Sequence, residues 1–135
     1  YICAIDELSK YHNRIFFHQW NDKTEPEIIR NFDIGIMPLE YNEWENYKGG
    51  YKIFMYLMSD VPVLATSIGI NQFIIKNGET GYLIENKSEW VSYLHLVCSQ
   101  PSILKNLKNQ VKLMDKSYFS LKNNYLIIKK CLENG

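Results

Sequence analysis

Two lysines four residues apart, Lys48 and Lys52, bracket a Gly49-Gly50 pair where a polar loop gives way to an apolar helical pattern. Glycines let backbone approach a ligand closely and adopt positive φ. The first amides of a helix lack intrahelical partners and sit at its positive dipole end, which suits an anion. Residues i and i+4 share a helix face, so the two ammonium groups could flank one spot. Together these residues make a candidate phosphate or diphosphate site. A loop with two solvated lysines is the plainer reading of the same pattern, since a lone Gly-Gly pair is a weak signal.

Gly69 and Asn71 lie in a second turn, after an apolar run, and could offer backbone and amide hydrogen bonds to the same ligand. Glu40, Glu43 and Glu45 could receive sugar hydroxyls or act as acid and base, although a solvated face accounts for them as well. His12, His18 and His95 show no partner spacing. Cys3, Cys98 and Cys131 are odd in number and widely separated, which excludes a fully paired disulfide framework and fits a reducing compartment. Cys98 and Cys131 fall at helix-face positions suited to core thiols. No Ser/His/Asp or Cys/His arrangement and no zinc spacing is legible, so no metal is expected. Lys105, Lys108, Lys112 and Lys116 form one stripe in a tail of net charge +5, set against −5 over the first 100 residues. That stripe reads as a solvated helix face, with contact to an anionic membrane surface as the alternative.

The elements that must position these residues alternate between strand and helix. Tyr1–Ile5, Arg14–Trp20, Asp33–Met37, Val61–Thr66 and Thr80–Ile84 read as strands. Val61–Thr66 is almost wholly apolar, as expected of a strand buried on both faces of a parallel sheet. Thr24 with Pro26 opens a short helix carrying Ile28, Ile29 and Phe32 inward. Residues 39–47 read as an acidic loop without a period. Helices are expected over Gly50–Ser59 and Ile70–Lys76, and from Ser88 to about Gln100 with Trp90, Val91, Leu94, Val97 and Cys98 on one face. Pro101 begins a further helix carrying Ile103, Leu104, Leu107, Val111 and Met114, and Ser120 caps a last one with Tyr125, Ile128 and Leu132. The alternation implies an α/β domain with a mainly parallel sheet and a helical carboxyl end. At 135 residues and 46% hydrophobic composition, one core is within reach. Fifteen basic residues balance fifteen acidic ones, which argues against binding nucleic acid by phosphate neutralisation. No apolar run reaches the roughly 20 residues of a membrane-spanning helix. The chain opens on Tyr1 within an apolar run, as a segment of a longer protein would.

The ordered set of motifs from Phe32 to Val97 resembles the carboxyl-terminal domain of group 1 (family 4) glycosyltransferases of the GT-B fold. The residues that carry the resemblance are Asp33–Leu39, Trp44, Lys48 with Gly49, Lys52, Pro62–Ala65, Gly69–Asn71 and Asn77–Gly81. Tyr118–Leu121 is similar to the Tyr-Ser motif before that family's final helix. The resemblance implies that residues 1–135 form a Rossmann-like domain, one GT-B half truncated at its start, that binds a nucleotide-diphosphate sugar. By that likeness Lys48, Gly49, Gly50 and Lys52 cradle diphosphate and sugar, Gly69, Ile70 and Asn71 line the same cleft, and Gln19 and Trp20 within Phe17–Trp20 lie near the base. No cofactor is implied, because the sugar nucleotide is the substrate.

The same resemblance implies a retaining transferase acting in bacterial surface polysaccharide or lipid-linked glycan synthesis. It implies a cytoplasmic location at the inner face of the membrane, with a glycan or lipid-linked acceptor held by an amino-terminal domain. The chain alone is expected to transfer no sugar. Where the wider family carries two glutamates eight apart, this chain has Tyr47 and Met55, so the sugar and ribose contacts do not carry over. Two other readings stay open: a non-catalytic nucleotide-binding or partner-docking module, and a sugar-nucleotide epimerase of the same fold.

Overall fold

The computed structural model describes residues 18, 19 and 21–133. The expected strand Tyr1–Ile5 and most of Arg14–Trp20, with Trp20 itself, lie outside the described residues; His18 and Gln19 are described and belong to no strand. Helix α1 (Glu25–Arg30) leads to strand β1 (Gly35–Met37), helices α2 (Glu43–Asn46) and α3 (Tyr51–Met58), and strand β2 (Val63–Thr66). Helix α4 (Asn71–Ile74), strand β3 (Gly81–Ile84), and helices α5 (Glu89–Ser99), α6 (Pro101–Leu113) and α7 (Leu121–Glu133) follow. The strands form one parallel sheet in the order β1-β2-β3. Gly35 pairs with Val63 and Met37 with Ala65, while Val63 pairs with Gly81 and Thr66 with Ile84. This is the parallel α/β sheet that the alternation of elements implies, in the Rossmann-like form that the resemblance implies.

Strand β2 lies at the centre, and all four of its residues are buried. Val63 and Ala65 face one layer with Met37, Ile53, Leu57, Ile75 and Val111, whereas Leu64 faces the other with Ile84, Val97 and Leu107. Side chains alternate across a strand, so a strand with helices on both sides must be apolar throughout. Leu107 and Val111, one turn apart on α6, reach into both clusters and tie the two layers together.

Several local expectations are corrected. Residues 39–47 include a helical turn: the Asn42 carboxamide oxygen accepts from Glu45 N–H at 2.9 Å and caps α2. The buried face of α5 is centred on Trp90, Tyr93, Leu94 and Val97, and Tyr93 packs on Tyr82 with ring centroids 5.1 Å apart. Val91 and Cys98 are exposed, so Cys98 is not a core thiol. Ser88 makes no capping bond; the Glu89 carboxylate instead accepts from the Glu85 and Asn86 amides and from the Asn86 side chain. Thr24 likewise makes no cap bond to α1, and Phe32, beyond that helix, is exposed whereas Ile29 is buried. Tyr125 is exposed on α7, and the side chains of Ile128, Cys131 and Leu132 lie outside those described, as does Cys3.

The basic stripe is not uniform. Lys108 donates to Asp33 at 2.6 Å, and Lys116 pairs with Asp60, so half of the stripe holds α6 and its exit against the layer containing β1 and α3. Asp60 takes φ 65°, the left-handed position just past α3, and the Lys116 ammonium neutralises its carboxylate there. Lys105 and Lys112 are exposed. No helix among the described residues is long and apolar enough to cross a membrane.

Candidate functional site

Parallel sheets present their ligand sites beyond the carboxyl ends of their strands. At that end of β1 the chain runs through Pro38 and Leu39, and Thr66 at the end of β2 grips it. Leu39 N–H donates to Thr66 Oγ1 at 2.8 Å, and Thr66 Oγ1 donates to Leu39 C=O at 3.0 Å. Thr66, the hydroxyl nearest the sheet end, is therefore buried and spent on holding two strand exits together.

A cleft of about 460 Å³ opens between this exit and the start of α3, lined by Ile36–Leu39 and Lys48–Lys52. It brings Lys48, Gly49, Gly50 and Lys52 together, as their spacing predicts. Gly50 is the amino-terminal cap of α3 with φ 65° and ψ 16°, a left-handed conformation that side-chain-bearing residues rarely adopt. A Cβ there would also lie 2.8 Å from Ile74 Cδ1 and 3.0 Å from Ile70 Cγ2. Around Gly49 the space is open to 4 Å. The first amide of α3 to find a backbone partner is that of Ile53, which donates to Gly50 C=O at 2.9 Å. The earlier amides thus stand at the cleft as donors, at the positive end of an eight-residue helix.

The two lysines are held differently. Lys48 Nζ lies 2.7 Å from Glu45 Oε2, and the Glu45 side chain is only 17% exposed. That oxygen is buried and makes no conventional hydrogen bond, so its contact is the ammonium charge. Lys52 borders two cavities at once: the cleft, and a smaller cavity of about 170 Å³ between α1 and α3. His18, Gln19, Phe32, Met55 and Tyr56 line that second cavity. Burial raises the Tyr56 phenol pKa above its ordinary value, and the Glu25 carboxylate adds to the effect, so the cavity wall there is a neutral hydroxyl. Met55 contributes apolar surface to the same wall. Gln19 therefore lies one lysine away from the cradle, while Trp20 lies outside the described residues.

Gly69, Ile70 and Asn71 lie beside the cradle as its support. Gly69 has φ 51°, and a Cβ there would stand 2.3 Å from the Asn46 carbonyl oxygen. This close approach packs the end of α2 onto the turn after β2. Ile70 packs against Gly50. Asn71 is 1% exposed, and its side-chain N–H donates to Thr66 C=O at 2.9 Å. The amide that could have reached a ligand is thus engaged inside the fold.

Of the acidic-loop residues, Glu40 and Glu43 are exposed, and Glu40 approaches Lys87 at 4.0 Å. His18 and His95 are exposed, and the Ser99 hydroxyl donates to the His95 backbone carbonyl at 2.6 Å. Among the described residues no three His, Cys, Asp or Glu side chains are grouped to hold a metal ion. Reading the sequence missed the role of α2. It sets Glu45 against Lys48 and leaves Trp44 and Tyr47 exposed along a further cleft with Asn42 and Glu43. The Asn42-x-x-Glu45 spacing of a helix start was the available signal.

Searches of curated proteins and of solved structures gave no match. The sequence matches the family model described as glycosyl transferases group 1 over residues 3–99, well over half of the chain. That span takes in the cradle, its glycine turn and the three strands among the described residues; the chain belongs to the group 1 glycosyl transferases.

Proposed function

We propose that this chain is the carboxyl-terminal, donor-binding half of a retaining GT-B glycosyltransferase that uses a nucleotide-diphosphate sugar. The observation that carries the reading is one cleft, at the carboxyl end of β1, holding two lysines, a left-handed glycine cap and the leading amides of a helix. In glycosyl transfer from such a donor, negative charge builds on the departing diphosphate. Lys48, held by Glu45, together with Lys52 and the amides after Gly50, lines the cleft where that charge would develop, which is electrostatic stabilisation of the leaving group. The cavity beyond Lys52, with Gln19 in its wall, is the natural place for the nucleoside. The acceptor is a glycan or lipid-linked glycan, brought by a further domain at the cytoplasmic face of a bacterial membrane.

A non-catalytic module is the second reading, favoured by one feature: Tyr47 and Met55 supply no carboxylate to a donor sugar or ribose. Titration of the intact protein with a panel of nucleoside diphosphates and sugar nucleotides, followed by a transfer assay on a cell-envelope extract, separates the two. The transferase reading expects binding that falls about tenfold or more in Lys52→Ala, since a charge-assisted contact is worth roughly 1.5–3 kcal/mol. It also expects transfer to the extract. Binding without transfer supports the module, and unchanged affinity in both Lys48→Ala and Lys52→Ala removes the diphosphate site.

A further inference from the structure

Trp44 on α2 and Tyr47, which caps that helix at its carboxyl end, are 79% and 78% exposed, the most open pair of neighbouring large aromatics in the described part of the chain. They are three residues apart on one helical turn and so share a face. Both line a shallow cleft of about 630 Å³ whose other walls are Asn42 and Glu43. The turn that carries them is firmly built. Asn42 caps it, Glu45 pins it to Lys48, and the Asn46 carbonyl packs on Gly69. Aromatic faces presented to water on an anchored turn, with a carboxamide and a carboxylate beside them, match a sugar ring: its C–H face is apolar, its edge is rimmed with hydroxyls, and stacking suits the aromatic quadrupole.

We infer that Trp44 and Tyr47 form a stacking platform for a saccharide ring of the acceptor glycan, with Asn42 and Glu43 receiving its hydroxyls. The inference rests on the transferase reading above and extends it, because it gives this half of the enzyme a share in holding the acceptor. Two observations favour the acceptor over the donor's own sugar. The aromatic cleft includes neither the glycines nor the lysines of the cradle, and it is a separate, more open space on its flank. Tyr47 nevertheless adjoins Lys48 in the chain, so a glycan lying along α2 ends beside the diphosphate.

The test uses the intact protein and three probes: maltotriose and chitotriose as free oligosaccharides, UDP, and UDP-glucose. Tryptophan fluorescence and calorimetry report binding, and thermal melting reports folding. At least one free oligosaccharide should bind wild type, and Trp44→Ala or Tyr47→Ala should weaken it about tenfold, the size of a lost stacking contact. Trp44→Phe should recover most of the affinity. UDP binding should be unchanged in these variants. Loss of UDP binding in Lys52→Ala with the oligosaccharide retained would confirm that the two sites are separable. UDP failing to bind wild type would strike the donor reading while leaving the platform measurable by the oligosaccharides alone. Three results overturn the inference. In one, neither oligosaccharide binds, or Trp44→Ala binds it as wild type does. In another, Trp44→Ala weakens UDP-glucose but not UDP, which assigns the platform to the donor sugar. In the third, the alanine variants lower the melting temperature with oligosaccharide affinity unchanged, which assigns the aromatics to an internal interface.

Discussion

The turn after β2 and the turn before α3 both pass the carboxyl end of the sheet, both contain a left-handed glycine, and they touch, yet they are built for opposite ends. Around Gly69 the backbone is crowded, Asn71 is buried, and the Asn71 amide is matched to the Thr66 carbonyl. At Gly49–Lys52 there is open space, leading amides and two cations at the rim of a cleft. One turn is engaged inside the fold, and the other, the proposed receptor, stands open at the cleft. A rigid receptor needs such a neighbour, because a cradle made of two glycines would otherwise lose its geometry to backbone entropy.

That division is best broken by paired glycine substitutions. Gly69→Ala meets both the φ penalty and the Asn46 carbonyl oxygen, and should cost roughly 2–5 kcal/mol of stability in chemical denaturation. Gly49→Ala meets nothing within 4 Å and should stay within about 0.5 kcal/mol of wild type. Equal losses at both would erase the distinction. Asn71→Ala comes next. It removes a buried hydrogen bond and orphans the Thr66 carbonyl, for about 1–3 kcal/mol, with nucleoside-diphosphate affinity unchanged per folded molecule. A loss of affinity without a loss of stability would move Asn71 from scaffold to receptor.

Glu45 sharpens the receptor side. Its carboxylate holds Lys48 and also places a negative charge beside any incoming diphosphate. A partly exposed pair of this kind is worth roughly 0.2–1 kcal/mol, so Glu45→Gln should tighten nucleoside-diphosphate binding about two- to fivefold in calorimetry. Weaker binding would mean that Lys48 needs its partner to point correctly. The smallest effect lies away from both turns. Hydrogen bonds from the Asn86 side chain and backbone, and then from the Glu85 amide, hold the Glu89 carboxyl below its ordinary pKa of 4.5. A depressed folded pKa stabilises above the unfolded value and is lost as pH falls through the folded one. The gap in melting temperature between wild type and Glu89→Gln should therefore be full at neutral pH and close below the ordinary carboxylate range. A gap independent of pH would remove the charge from the account.

How far these features were legible in the sequence follows from their range. The all-apolar Val61–Thr66 run announces a strand covered on both faces, and the sheet centre lies there. Lys48, the glycines and Lys52 are neighbours in the chain, so their meeting at one helix start needs no tertiary information. The four-residue α2 is a single turn with no period to detect, so only the Asn42-x-x-Glu45 spacing of its start marked it. The expected face of α5 omitted Tyr93, whose ring packs on Tyr82, and the helix turns toward that contact, leaving Val91 and Cys98 outside. Lys108 and Lys116 looked like part of a free stripe because Asp33 and Asp60, their partners, are more than 50 residues away in sequence. The cavity that joins Lys52 to Gln19 arises from α1 packing on α3, which no local pattern encodes.

The central claim is that the amides and ammonium groups around Gly49–Lys52 receive a diphosphate. Backbone amide chemical shifts of the intact, isotope-labelled protein, followed while UDP and GDP are added, test it most directly. The account predicts saturable shifts, largest at Gly49, Gly50, Tyr51 and Lys52, weaker at Gln19, and small at Asn71. Saturable shifts centred elsewhere, or none at the α3 start, would contradict it.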